Sequence, residues 1–255
     1  MSKNFRIAVL IDGDNAQPKL IKEILTEVLK YGKATIRRIY GDWTSSQMNG
    51  WKEVINENSF SPIQKFAYTS GKNSTDSALI IDAMDILHEK NVEGFCIVSS
   101  DSDYTGLAKR IREDGIFVMG IGRKTTPVAF VQSCEIFTHT ENIAPKEEEE
   151  KPDHKAPHTA AAGAKKRNPP SKSKVLPAGS KIDIGIIDKA FEISAGEDQE
   201  VFISKIGHAL RKINPSFDTR EFGFKTLTEM FENLPNYEVV KKDVNGSVHP
   251  FARKK

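Results

Sequence analysis

Between residues 6 and 143, five short apolar runs alternate with four stretches of helical period. This alternation constrains the fold more than any other feature of the chain. The runs cover residues 7–11, 35–40, 64–69, 95–98 and 116–121. The helical patterns lie at 18–31, roughly 47–56, 76–89 and 105–113. In the first of these, Ile21, Ile24, Leu25, Val28 and Leu29 recur with the period of a half-buried helix. Pro18 suits its first turn and Gly32 the position just past its end. Strands that alternate with helices in this way build a mainly parallel sheet covered on both faces.

Four acidic stations fall where such a sheet binds ligands, beyond the carboxyl ends of the strands. Asp12 ends the first run, in Asp12-Gly-Asp-Asn15. Asp76 opens the third helical pattern, and Asp101 and Asp103 follow the run at 95–98. Each has a bland reading: a turn and helix cap at Asp12, a cap at Asp76, an Asx-turn at Asp101 and Asp103. Taken together they point at one cleft, where a hard divalent cation such as Mg²⁺ or Mn²⁺ would offset their charge. That chemistry suits a phosphodiester substrate, and helix N-termini at the same place favour an anion. Asp82 lies six residues after Asp76, about 240° round the helix, so the two do not share a face. Lys72, just before Asp76, is either a phosphate contact or an exposed loop residue. Arg123 and Lys124 are candidates for backbone phosphates from the same rim. Trp43 and Trp51 offer either base stacking or core packing.

Composition sets the remaining limits. A hydrophobic content of 38% is low for one compact globule and predicts a disordered part. The helical and strand patterns stop between residues 144 and 181, where nine Lys/Arg face five Asp/Glu. This is linker composition, read either as a solvated tether or as a loose phosphate-attracting arm. From 182 to 255, three apolar stripes of helical period precede a hairpin signal at Asn245-Gly246, which predicts a winged helix. No run of eighteen apolar residues exists, so no membrane span is expected. Met1-Ser-Lys-Asn-Phe-Arg lacks a signal-peptide cleavage pattern. Cys96 and Cys134 have no metal-ligand spacing and are expected as buried thiols in a reducing cytoplasm. The six His form no metal motif.

Over residues 5–143 the chain resembles a NYN domain of the PIN-like nuclease family. The resemblance rests on Ala8-Val-Leu-Ile-Asp-Gly-Asp-Asn15, on Lys72 with Asp76 and Asp82, and on Ile97-Val-Ser-Ser-Asp-Ser-Asp-Tyr104. It implies a PIN-like α/β fold and metal-dependent cleavage of RNA. It also implies Asp12, Asp76, Asp101 and Asp103 as the metal-binding and catalytic set, with Asn15 and Asp82 in support. Ser100 stands where the family often has Gly, and Tyr104 replaces a common Phe. Residues 182–255 resemble an OST-HTH (LOTUS) domain, on the segment running from Val201 to Leu227. That implies a small winged-helix-like α+β domain that binds RNA or recruits RNA-processing proteins. Lys205, Arg211, Lys212, Arg220 and Lys225 are its candidate contacts. The expected organisation is a nuclease domain over 1–143, a disordered basic linker over 144–181 and the winged-helix-like domain over 182–255. Two alternatives to a ribonuclease are an inactive RNA-binding adaptor and a phosphatase of the haloacid-dehalogenase type. In the phosphatase, Asp12 would be the nucleophile and Asp14 the acid.

Overall fold

A computed structural model describes residues 5–66, 74–145, 182–195, 199–244 and 246–255. Its larger unit is one six-stranded sheet of β1 (Arg6–Asp12), β2 (Lys33–Gly41), β3 (Ser61–Gln64), β4 (Gly94–Val98), β5 (Phe117–Gly122) and β6 (Ile136–His139). The strand order is β3-β2-β1-β4-β5-β6 and every neighbouring pair is parallel. The crossovers carry α1 (Ile21–Leu29), α2 (Trp51–Asn58), α3 (Ser74–Glu89), α4 (Thr105–Glu113) and α5 (Val128–Ser133). A last short helix, α6 (Thr140–Ile143), follows β6. The order turns back on itself between β1 and β4, the switch point at which sheets of this kind bind ligands.

Strand periodicity explains why the central strands read as unbroken apolar runs. In β1, Ile7, Val9 and Ile11 face one core with Ile24, Val28, Trp51 and Ile55. Ala8 and Leu10 face the other with Leu79, Phe95, Leu107 and Phe130. Both faces are covered, so both sets of alternate residues must be apolar.

Several boundaries differ from the expectation. The third strand is β3 at Ser61–Gln64, and residues 67–69 of the run at 64–69 lie outside the described residues. The pattern at 47–56 divides into a 3₁₀ turn over Ser46–Gly50 and then α2. The elements α5, β6 and α6 were not foreseen. They have six, four and four residues, too few to display a period.

The smaller unit packs α7 (Ile184–Ala195), α8 (Ile203–Ile213) and α9 (Leu227–Asn233) on an antiparallel sheet. Its strands are β7 (Glu200–Phe202), β8 (Tyr237–Val244) and β9 (Ser247–Lys254), in the order β7-β9-β8. Ile187, Phe191, Ile206, Leu210, Met230 and Phe231 fill its core. The predicted hairpin is β8–β9; Asn245 lies outside the described residues, and Gly246 has φ +81°. Phe222 belongs to a separate 3₁₀ turn over Thr219–Phe222 rather than to the α9 stripe. Gly223 ends that turn with φ +81°, a conformation that favours glycine and that makes the junction before α9 tight. Of the expected linker, residues 146–181 lie outside the described residues. Among the described residues, no helix is long and apolar enough to cross a membrane.

Candidate functional site

Asp12 is the last residue of β1 and is fully buried. Its Oδ1 accepts from the backbone N–H groups of Asp14 at 3.2 Å and Asn15 at 3.3 Å. Its Oδ2 accepts from Asn15 Nδ2 at 2.6 Å and Ser99 Oγ at 2.9 Å. Burial pushes the Asp12 carboxyl above its ordinary range, against the Asn15 and Ser99 hydrogen bonds that favour the ionised form. Ser99 sits directly after β4 and also accepts from the Asp101 N–H at 3.1 Å. Asp12 thus ties the end of β1 to the loop that carries the next two carboxylates. The parallel pairing of Ile11 with Val98 brings the two strand ends together.

One carboxylate oxygen from each of Asp76, Asp101 and Asp103 lies within 4.8 Å of the others. Asp76 is in the first turn of α3, and α3 leads into β4, so its N-terminus sits at the carboxyl end of the sheet. Asp101 caps the 3₁₀ turn over Ser102–Tyr104 and accepts from the Asp103 N–H at 2.9 Å. The buried Tyr104 donates its hydroxyl to Asp76 Oδ1 at 2.6 Å and so fixes that carboxylate. The Asp76 pKa is pushed up, first by burial and then by the charges of Asp101 and Asp103, with the Tyr104 hydrogen bond opposing.

Three oxygen donors of like charge, two half-buried and one exposed, form a donor set suited to a hard divalent ion that keeps part of its water shell. The structure therefore groups Asp76 with Asp101 and Asp103. Asp12 lies outside that group, with both of its oxygens already engaged.

The other expected residues are dispersed. Asp82 accepts from Arg38 Nη1 and from the Tyr40 hydroxyl, which ties α3 to β2. Asn15 does support the site, through Asp12. Lys72 lies outside the described residues. Arg123 is exposed at the end of β5, and its N–H donates to Ser100 Oγ at 2.9 Å. Lys124 is drawn to Glu221 at 3.5 Å. Gly122, just before them, allows a close approach: a Cβ there would meet the Ser99 carbonyl oxygen at 2.5 Å. Trp51 is buried in the core and donates Nε1 to the Gly13 carbonyl at 3.1 Å, so it is not a base-stacking platform. Trp43 donates Nε1 to the Ile63 carbonyl.

In the smaller unit Lys205, Arg211, Lys212 and Lys225 are exposed. The Arg220 guanidinium is divided between Asp218 and Glu27. Sequence reasoning missed Ser99 and Tyr104 as site residues. The available signal for Ser99 was its place at the first polar position after a buried strand.

The family model of the NYN domain matches residues 6–141, more than half of the chain. The family model of the OST-HTH/LOTUS domain matches residues 186–249. No curated protein matches the chain. Among solved structures, the chain is similar to a protein of unknown function from Vibrio parahaemolyticus. The TM-score is 0.45 at 16% identity, over 54% of this chain and 93% of that one.

Proposed function

Because the chain belongs to the NYN domain family, which is PIN-like and nucleolytic, we propose that it is a ribonuclease that uses Mg²⁺ or Mn²⁺. In this reading Asp76, Asp101 and Asp103 hold the ion. NYN and other PIN-like nucleases generally use divalent metal ions. The supporting observation is the convergence of three carboxylates, from α3 and from the loop after β4, at the switch point of a parallel sheet. When bound, the ion makes water a stronger nucleophile and offsets charge on the phosphate.

The protein's own contribution is positioning. Tyr104 orients Asp76, and Asp12, through Ser99, sets the loop that presents Asp101 and Asp103. Arg123 offers an exposed cation at the rim for a neighbouring backbone phosphate. In this reading the OST-HTH/LOTUS domain serves as an RNA-binding module, which raises the local concentration of substrate.

A first test reads binding of the ion without reference to cleavage. Mn²⁺ at 100 times its dissociation constant is expected to stabilise the wild-type chain by about 2.7 kcal/mol. The gain is expected to vanish in Asp101→Asn, with thermal unfolding as the readout. An equal gain in both proteins would place the ion elsewhere.

A further inference from the structure

The two units meet along the edge strand β6 in a defined register. Phe137 N–H donates to the Pro215 carbonyl at 2.9 Å. Glu27, on α1, is only 5% exposed, and both its oxygens accept from Arg220 at 3.1 Å. Arg220 is held in turn by Asp218. Glu27 also accepts from the neighbouring Lys30 Nζ at 2.6 Å, and the added pair with Arg220 ties the smaller unit to the larger one.

Beside this junction a groove of about 960 Å³ opens between the turn from α1 to β2, the starts of β5 and β6, and α8. Lys33, His208, Arg211 and Lys212 line it and are exposed. Lys33, Arg211 and Lys212 form no ion pair among the described residues. The acid that lines the groove, Glu135, already accepts from Arg112 at 3.2 Å and from the Val118 N–H at 2.6 Å. On the larger unit's wall the rings of Tyr31 and Phe117 lie 5.8 Å apart and are half-buried.

Unpaired cations from both units above a partly exposed aromatic pair suit an extended polyanion with flat, stackable groups. We propose that this groove is a second binding site for single-stranded RNA, formed only where the two units meet. Lys33, Arg211 and Lys212 contact its phosphates, and Tyr31 contacts a base. The groove lies at the amino ends of the strands, since Lys33 opens β2 and Phe117 opens β5. The carboxylates lie at the other end, about 20 Å away along a seven-residue strand. The site therefore holds a distant part of a long RNA rather than the bond that is cut. The choice of RNA rests on the proposed nuclease reading; the preference for a polyanion rests on the groove alone.

The test uses the full chain with Asp101→Asn, in EDTA, so that binding is read without cleavage. The probe is a labelled oligouridine of about 20 nucleotides, longer than one such site occupies. Lys33→Glu, Arg211→Glu and Lys212→Glu together are expected to weaken binding at least about tenfold. They should also flatten the log–log salt dependence by about 2, for three lost phosphate contacts. A control with Lys109→Glu, Lys189→Glu and Lys241→Glu carries the same change in net charge and lies outside the groove. It is expected to leave both quantities close to those of the parent. Equal behaviour of the two triple variants overturns the proposal, as does binding of an acidic peptide but not RNA at the groove. If the reversed variant does not fold, the triple alanine variant is read by the same criteria. Absence of cleavage by the wild type would count against the nuclease reading and leave this binding test intact.

Discussion

Trp51→Ala is expected to destabilise the larger unit by about 3–5 kcal/mol, the usual cost of deleting a fully buried indole. Trp51 is 1% exposed and packs in the core beneath β1 with Ile11, Leu20, Met48 and Ile55. Its Nε1 holds the Gly13 carbonyl, one residue beyond Asp12. Truncation therefore leaves a cavity and also an unsatisfied carbonyl at the base of the site. For a chain of this size the melting temperature should fall by roughly 10 °C. Trp51→Phe keeps most of the packing and loses the hydrogen bond, for a smaller cost of about 1–2 kcal/mol plus a residual gap. Chemical denaturation of the three proteins checks the order. A loss below about 1 kcal/mol for the alanine variant would contradict the packing described here.

Asp76→Asn is expected to divide activity from stability. Cleavage should fall about 100- to 1,000-fold, the scale set by loss of one preorganised electrostatic group. Stability in EDTA at pH 7 should rise. The sign follows from the raised pKa of Asp76: the folded protein binds that proton more tightly than the unfolded chain. Stability contributed by the protonated group is present at low pH and is lost as pH rises from the ordinary carboxylate range through the folded pKa. Asparagine cannot ionise and still presents an oxygen to Tyr104, so the variant escapes that loss. Melting curves between pH 3 and 8 should show the two proteins converging on the acidic side. A variant that is less stable than wild type at neutral pH, or one that cuts normally, would contradict this assignment.

The parallel sheet was legible because its central strands are buried on both faces, which leaves continuous apolar runs such as Ala8–Ile11 and Phe95–Val98 in the sequence. β6 was not legible because an edge strand of four residues carries no period. The four acidic stations were visible, but the different surroundings of Asp12 and Asp76 were not. Asp12 differs from Asp76 by its hydrogen bonds, one of which comes from Ser99, 87 residues away. That bond follows only from β1 lying beside β4, a long-range pairing that local spacing does not encode. The partners of Asp82, Arg38 and Tyr40, were hidden for the same reason, since all three meet only when α3 packs on β2. Arg220 looked like an exposed basic residue until folding placed Glu27, 193 residues earlier in the chain, against it.

Metal-dependent RNA cleavage is proposed to rest on the carboxylate group of Asp76, Asp101 and Asp103. Its most direct test is cleavage of a labelled single-stranded RNA pool in Mg²⁺, Mn²⁺ or EDTA, by the wild type and by Asp101→Asn at matched folding. The expected result is cutting by the wild type in Mg²⁺ or Mn²⁺, none in EDTA, and a loss of about 100-fold or more in the variant. Equal cutting by both proteins, or cutting that EDTA leaves unchanged, would contradict it.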